Sequence, residues 1–249
     1  MTSSKLLIAR EGPVMRLTLN RPDRGNALDQ ELADALLEAV SECDADSGVR
    51  CVVLTGSGRL FCAGGDITAF AEETQRMPQA LRKLAGTLHE SVIRLANMRK
   101  PLLTLVNGPA AGAGMSLAIM GDVVLCARSA HFTAAYSAIG LTPDGGMTWS
   151  LPRLIGMRKA QELVLTNRRV PAAEAEQIGL VTRVVDDAEL AQESAKVADS
   201  LSHSAIAALA TARTLLANSY SASLASQLEA EARTIAAMSR GPECREGIA

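Results

Sequence analysis

The chain has 249 residues, 48% hydrophobic but only 2% aromatic, and 25 Lys and Arg against 27 Asp and Glu give a formal charge of −2. That length can bury a sizeable core within one large domain, and the core must be built from Ala, Leu, Val and Ile. A near-neutral balance excludes a broad basic footprint for nucleic acid, so an anionic ligand would need a local basic patch.

No apolar run approaches the ~18 residues of a membrane span. Met1 to Lys5 lacks the charged, apolar and small-residue succession of a secretory signal. The cysteines Cys43, Cys51, Cys62, Cys126 and Cys244 are odd in number and show neither a C-x-x-C nor a zinc spacing. That usage fits a reduced compartment, and a cytoplasmic setting is expected.

In chain order, Val14 to Leu19 alternates as a half-buried strand does, and Arg21 to Asn26 is a turn-rich loop. Asp29 is placed to cap an amphipathic helix carrying Leu32, Ala35, Leu36, Ala39 and Val40 at helical spacing. Arg50 to Thr55 is a β-branched run, expected as a buried parallel strand. Glu72 to Gln79 has little apolar periodicity and is expected as a loop or short helix. Helical spacing resumes from Leu81 to Met98, through Leu84, Leu88, Val92 and Leu95, until Lys100 and Pro101 stop it.

Leu102 to Val106 then reads as a strand that breaks at Asn107 and Gly108 into a turn of glycine and alanine, followed by an apolar helical segment, Met115 to Met120. Val123 to Cys126 is another short strand. Pro171 opens a helix that Gly179 ends, Thr182 to Val185 is a last strand, and from Ala188 onward the pattern is helical. Strands alternating with helices predict a mixed α/β fold with parallel pairing.

Two glycine turns, Ala63 to Asp66 and Gly112 to Gly114, each follow a strand and lead toward a helix. Loops at the carboxyl ends of neighbouring parallel strands lie side by side, so two such turns can direct N–H groups at one carbonyl oxygen. A second pattern points elsewhere: Gly114 to Ala118 approaches a nucleophile elbow around Ser116, with Asp186 and His203 following in serine-hydrolase order, although the final glycine of the elbow is missing.

The paired turns, with Asn20 to Leu28, Phe61 to Ile67, Val106 to Gly114, Gly140 to Gly146 and Leu151 to Gly156, resemble the crotonase superfamily, the enoyl-CoA hydratase/isomerase family. The motifs are most similar to its phenylacetate-pathway isomerases. The resemblance implies a spiral of ββα units over residues 1–187. It also implies a helical region, 188–249, that covers the coenzyme A site and builds a homotrimer or a hexamer of two trimers. It implies an acyl-CoA thioester as substrate, no cofactor or metal beyond that, and no nucleic-acid or membrane partner.

On the same resemblance, the backbone N–H groups of Gly65 and Ala113 stabilise a thioester enolate, with Gly114 the neighbouring alternative. Arg24, Ala27, Leu28, Ala63, Asp66 and Ile67 match positions lining the coenzyme A channel; Asp66 can equally be read as a helix N-cap. Hydratases of the family place two glutamates over the reacting carbons, and the matching positions here are Ser116 and Tyr136. Neither supplies a carboxylate base, which disfavours hydration.

Asp144 remains as the acid/base, suited to moving a proton between the α and γ carbons of an enoyl thioester. Its bland reading is a turn residue capping a helix from Met147 to Ile155. As a nucleophile, with His89 and Tyr136 in support, Asp144 would instead suit a dehalogenase or thioester hydrolase. His89 can also be read as a packed or solvated helix residue and Tyr136 as core. A non-catalytic acyl-CoA binder is a further reading, against which Asp144 itself argues.

Overall fold

The computed structural model describes residues 4–68 and 76–248. A six-stranded sheet organises them, in the order β1 (Leu6–Glu11), β2 (Val14–Leu19), β3 (Cys51–Gly56), β4 (Leu102–Val106), β6 (Val123–Ala127) and β9 (Arg183–Val185). β1 and β2 form an antiparallel hairpin, and every later neighbour is parallel. β5 (Ala110–Ala111), β7 (His131–Thr133) and β8 (Val170–Pro171) make a smaller sheet.

Parallel pairs need crossovers, and these are the expected helices. α1 (Gln30–Ala45) links β2 to β3, and Asp29 Oδ1 caps it by accepting from the Leu32 N–H at 2.9 Å. α2 (Met77–Asn97) links β3 to β4 and packs on α1. It starts before Leu81, with Pro78 in its first turn, where a missing N–H costs nothing. Met77 to Gln79 are therefore helix, and residues 72–75 of the stretch expected as a loop or short helix lie outside the described residues.

α3 (Ala113–Ala118) begins directly after the second glycine turn, two residues earlier than the apolar pattern suggests. β1 escaped the periodicity because it is an edge strand with only Leu6 buried, so Leu7 and Ile8 face outward.

Next come α4 (Met147–Ile155), α5 (Met157–Thr166) and α6 (Ala172–Gln177), then α7 (Leu190–His203), α8 (Ile206–Ser219), α9 (Leu224–Met238) and α10 (Pro242–Ile248). The core is aliphatic with Phe61 and Phe132 buried in it. Two arginines tie the late helices to the sheet layer. Arg50 donates to the Ser202 and Ser204 carbonyls at the end of α7, and Arg213 of α8 donates to carbonyls of Leu95, Met98 and Lys100 and to Asp122. Among the described residues no helix is long and apolar enough to cross a membrane.

Candidate active site

The neighbouring strands β3 and β4 deliver the two glycine turns to the same edge of the sheet. A bridge between Cys62 and Ala110, with the Ala111 N–H donating to the Cys62 carbonyl at 2.9 Å, zips the first turn to the second. The approach is close enough to dictate a residue type. A β-carbon at Gly114 would sit 2.2 Å from the Cys62 carbonyl oxygen, so only glycine fits there.

Gly65 and Ala113 both border one cavity of about 220 Å3, and among the described residues neither of their N–H groups has an acceptor. Ala113 is the first residue of α3, where the N–H groups lack partners within the helix. Two unpaired donors on one wall can polarise a ligand carbonyl oxygen. Gly114 is buried against Cys62 and does not line the cavity.

The lining of the same cavity also carries a carboxylate. Tyr136 is 9% exposed and donates its phenolic proton to Asp144 Oδ1 at 2.6 Å. Burial first, then the Asp144 charge and the hydrogen bond to it, push the phenol's ionisation far above the usual tyrosine range, so Tyr136 stays a donor. Asp144 Oδ2 has no described partner, and Asp144 lines the cavity. The Ser116 hydroxyl donates to the Asp144 backbone carbonyl at 2.9 Å and lies 3.4 Å from the Tyr136 oxygen.

The Asp144 side chain does not cap α4: Gly146 is the N-cap residue, and only the Asp144 backbone carbonyl accepts from Met147 N–H. His89 Nε2 accepts the Gly145 N–H at 3.1 Å. A serine-hydrolase triad is not assembled. Asp186 pairs with Arg128, and His203 is exposed beside Asp199 of its own helix.

Of the residues matched to the coenzyme A channel, Leu28, Ala63 and Ile67 line the cavity. Arg24 is exposed outside it, and buried Ala27 presents its carbonyl to Arg21. Asp66 also lies off the lining. Burial pushes its carboxyl up, but hydrogen bonds from Thr68 and Arg21 outweigh this and hold it below the usual range. The Thr68 hydroxyl donates at 2.6 Å and Arg21 at 2.9 Å, so Asp66 acts as a local turn and ion-pair residue.

The apolar walls were not singled out from sequence. Leu81, Leu84, Ala85 and Leu88 of α2 line the cavity together with Ile139 and Leu141. Their helical spacing reads as a core stripe, which is equally what a helix lining an apolar pocket shows. Arg21, in the stretch from Asn20 to Leu28, also passed unnoticed. It joins Asp29 and Asp66, bracing the first glycine turn against α1.

Residues 9–249 match the family model described as enoyl-CoA hydratase/isomerase. The 1,2-epoxyphenylacetyl-CoA isomerase of Escherichia coli is 37% identical over 96% of this chain and 91% of its own length. A probable enoyl-CoA hydratase of Rhodobacter capsulatus is 36% identical over 93% and 88%. Among solved structures, an enoyl-CoA hydratase from Polaromonas superposes with a TM-score of 0.93 at 33% identity, covering 98% of this chain and 95% of that one. On this evidence the chain belongs to the enoyl-CoA hydratase/isomerase family, with a crotonase-type α/β fold and a helical C-terminal region.

Proposed function

We propose that the protein is an acyl-CoA isomerase that shifts a 3-enoyl double bond to the 2 position. The observation carrying this reading is the cavity itself, bordered by Gly65 and Ala113, whose N–H groups have no acceptor among the described residues, and by one carboxylate among those residues, Asp144. The thioester oxygen sits between Gly65 and Ala113. Asp144 Oδ2 takes a proton from the α carbon, the charge moves onto the thioester oxygen as a dienolate, and the same carboxyl returns the proton at the γ carbon. Atoms balance without a cofactor.

Hydration needs a second group to orient water, and the positions matched to the hydratase glutamates hold Ser116 and Tyr136, both engaged with Asp144. Nucleophilic dehalogenation or thioester hydrolysis needs a base on a water. The nearby His89 has its Nε2 lone pair occupied by the Gly145 N–H, which disfavours that role. The E. coli relative carries an isomerase name, whereas others carry hydratase names.

The helical region also fits a homotrimer or hexamer, since Leu216, Leu224, Leu228 and Ile235 leave large apolar side chains exposed on one chain alone. The test of activity is conversion of 3-enoyl-CoA by the wild type and Asp144→Asn. Loss of the acid/base should lower kcat on the order of 10²- to 10⁴-fold. An unimpaired variant, or faster hydration of 2-enoyl-CoA, overturns the reading.

A further inference from the structure

We propose that His89 is a positioning residue, which together with Ser116 locks the Asp144–Gly145 peptide plane and so aims the Asp144 carboxylate; this rests on the acid/base reading of Asp144. The two hydrogen bonds involved belong to a single peptide unit. Its carbonyl, on Asp144, accepts from the Ser116 hydroxyl at 2.9 Å, and its N–H, on Gly145, donates to His89 Nε2 at 3.1 Å. One plane is gripped at both poles by side chains from two different helices, α3 and α2.

Such a grip matters because of what stands at 145. Gly145 has φ +59, and with glycine there the peptide before it rotates at little steric cost. Rotation would turn the carbonyl away from Ser116 and the N–H away from His89, and would re-aim the side chain that Tyr136 holds only through one oxygen. Both anchors are stiff. Ser116 is 1% exposed within a wholly buried helix, and the helix bearing His89 is seated through buried Leu84, Leu88, Ser91 and Leu95.

The role also fixes the chemistry of the imidazole. An acceptor at Nε2 needs the neutral ring with its proton on Nδ1. A glutamine offers a comparable acceptor in its carbonyl oxygen, and leucine offers none at similar bulk.

The experiment compares kcat and KM for 3-enoyl-CoA, with thermal midpoints, in wild type, His89→Leu, His89→Gln, Ser116→Ala and Asp144→Asn. His89→Leu is expected to lower kcat about 10- to 100-fold, the range a small misplacement of a reacting group costs, with KM within about twofold and His89→Gln recovering most of the loss. Ser116→Ala removes one of the two donors to the Asp144 carbonyl, leaving only the Met147 N–H of α4, and should also act on kcat; it provides the test if His89→Leu fails to fold. The inference is overturned if both pole variants keep wild-type kcat while Asp144→Asn is inactive, if His89→Gln is as impaired as His89→Leu, or if the effect falls on KM alone. An active Asp144→Asn overturns instead the acid/base reading on which the inference stands.

Discussion

Tyr136 and Asp144 are eight residues apart and meet at 2.6 Å, phenol to carboxylate. The first follows β7, buried at the start of an exposed turn, and the second stands two residues before the N-cap of α4. Their contact divides the labour of the two carboxylate oxygens: Oδ1 is spent on Tyr136, and Oδ2 is left toward the cavity that Asp144 lines. A base with one oxygen anchored presents the other in a narrower range of positions, which is what abstraction from a defined carbon requires.

Replacing Tyr136 by Phe keeps the ring and deletes the donor. The expected result is a fall in kcat of roughly 10-fold or more, about the value of one hydrogen bond to a charged group, with KM little changed because the phenol does not bind the thioester in this scheme. Burial and Asp144 push the phenol's ionisation far up, so Tyr136 should produce no alkaline loss of activity in the wild type. Steady-state kinetics between pH 6 and about 10 check both points. A wild-type kcat for the variant would remove Tyr136 from the positioning scheme.

The donor wall allows a separate test at Gly65. A β-carbon there meets nothing within 4 Å, and its N–H has no acceptor among the described residues. Proline therefore deletes a donor that no described fold contact uses, and alanine controls for added bulk. Gly65→Pro should lower kcat on the order of 10²-fold or more, the usual cost of one oxyanion donor, while Gly65→Ala loses much less. Equal losses in the two would mean that crowding of the cavity, not the N–H, is responsible.

Much of this arrangement was legible in the sequence because it is written in backbone requirements. The strand-to-helix turns around Gly65 and Ala113 announce themselves through glycine, and Asp29 through its place before an amphipathic run. Asp144 stands out as a carboxylate in a glycine turn. What stayed hidden depends on distance across the fold. No local pattern says that Gly145 N–H meets a histidine 56 residues earlier, or that Arg21 reaches Asp66. The α2 leucines were visible as a stripe, but periodicity reports only that a face is covered, and a cavity covers it as well as a core does. β1 was missed for the converse reason, since an edge strand with one buried residue carries no alternation.

Four thiols give the fold a pH limit. Burial pushes Cys62, Cys51 and Cys126 from an ordinary 9.0 up to about 12, and Cys43 up to about 11. In the unfolded chain these thiols lose their protons near the ordinary value, whereas the folded protein keeps them. The folded pKa is the higher one, so this stabilisation is fully present below pH 9 and is lost as pH rises from there through about 11 to 12. Within that window each thiol should steepen the decline by about 1.4 kcal/mol per pH unit, against a total stability on the order of 5–15 kcal/mol. Urea unfolding at successive pH values from 8 to 10.5, with reductant present, is expected to show a steep alkaline fall (~pH 9 onward). Cys62→Ala should lower stability at neutral pH by removing packed volume, yet flatten the alkaline slope by about one thiol's share. An unchanged slope in that variant would show that Cys62 does not contribute to the alkaline limit.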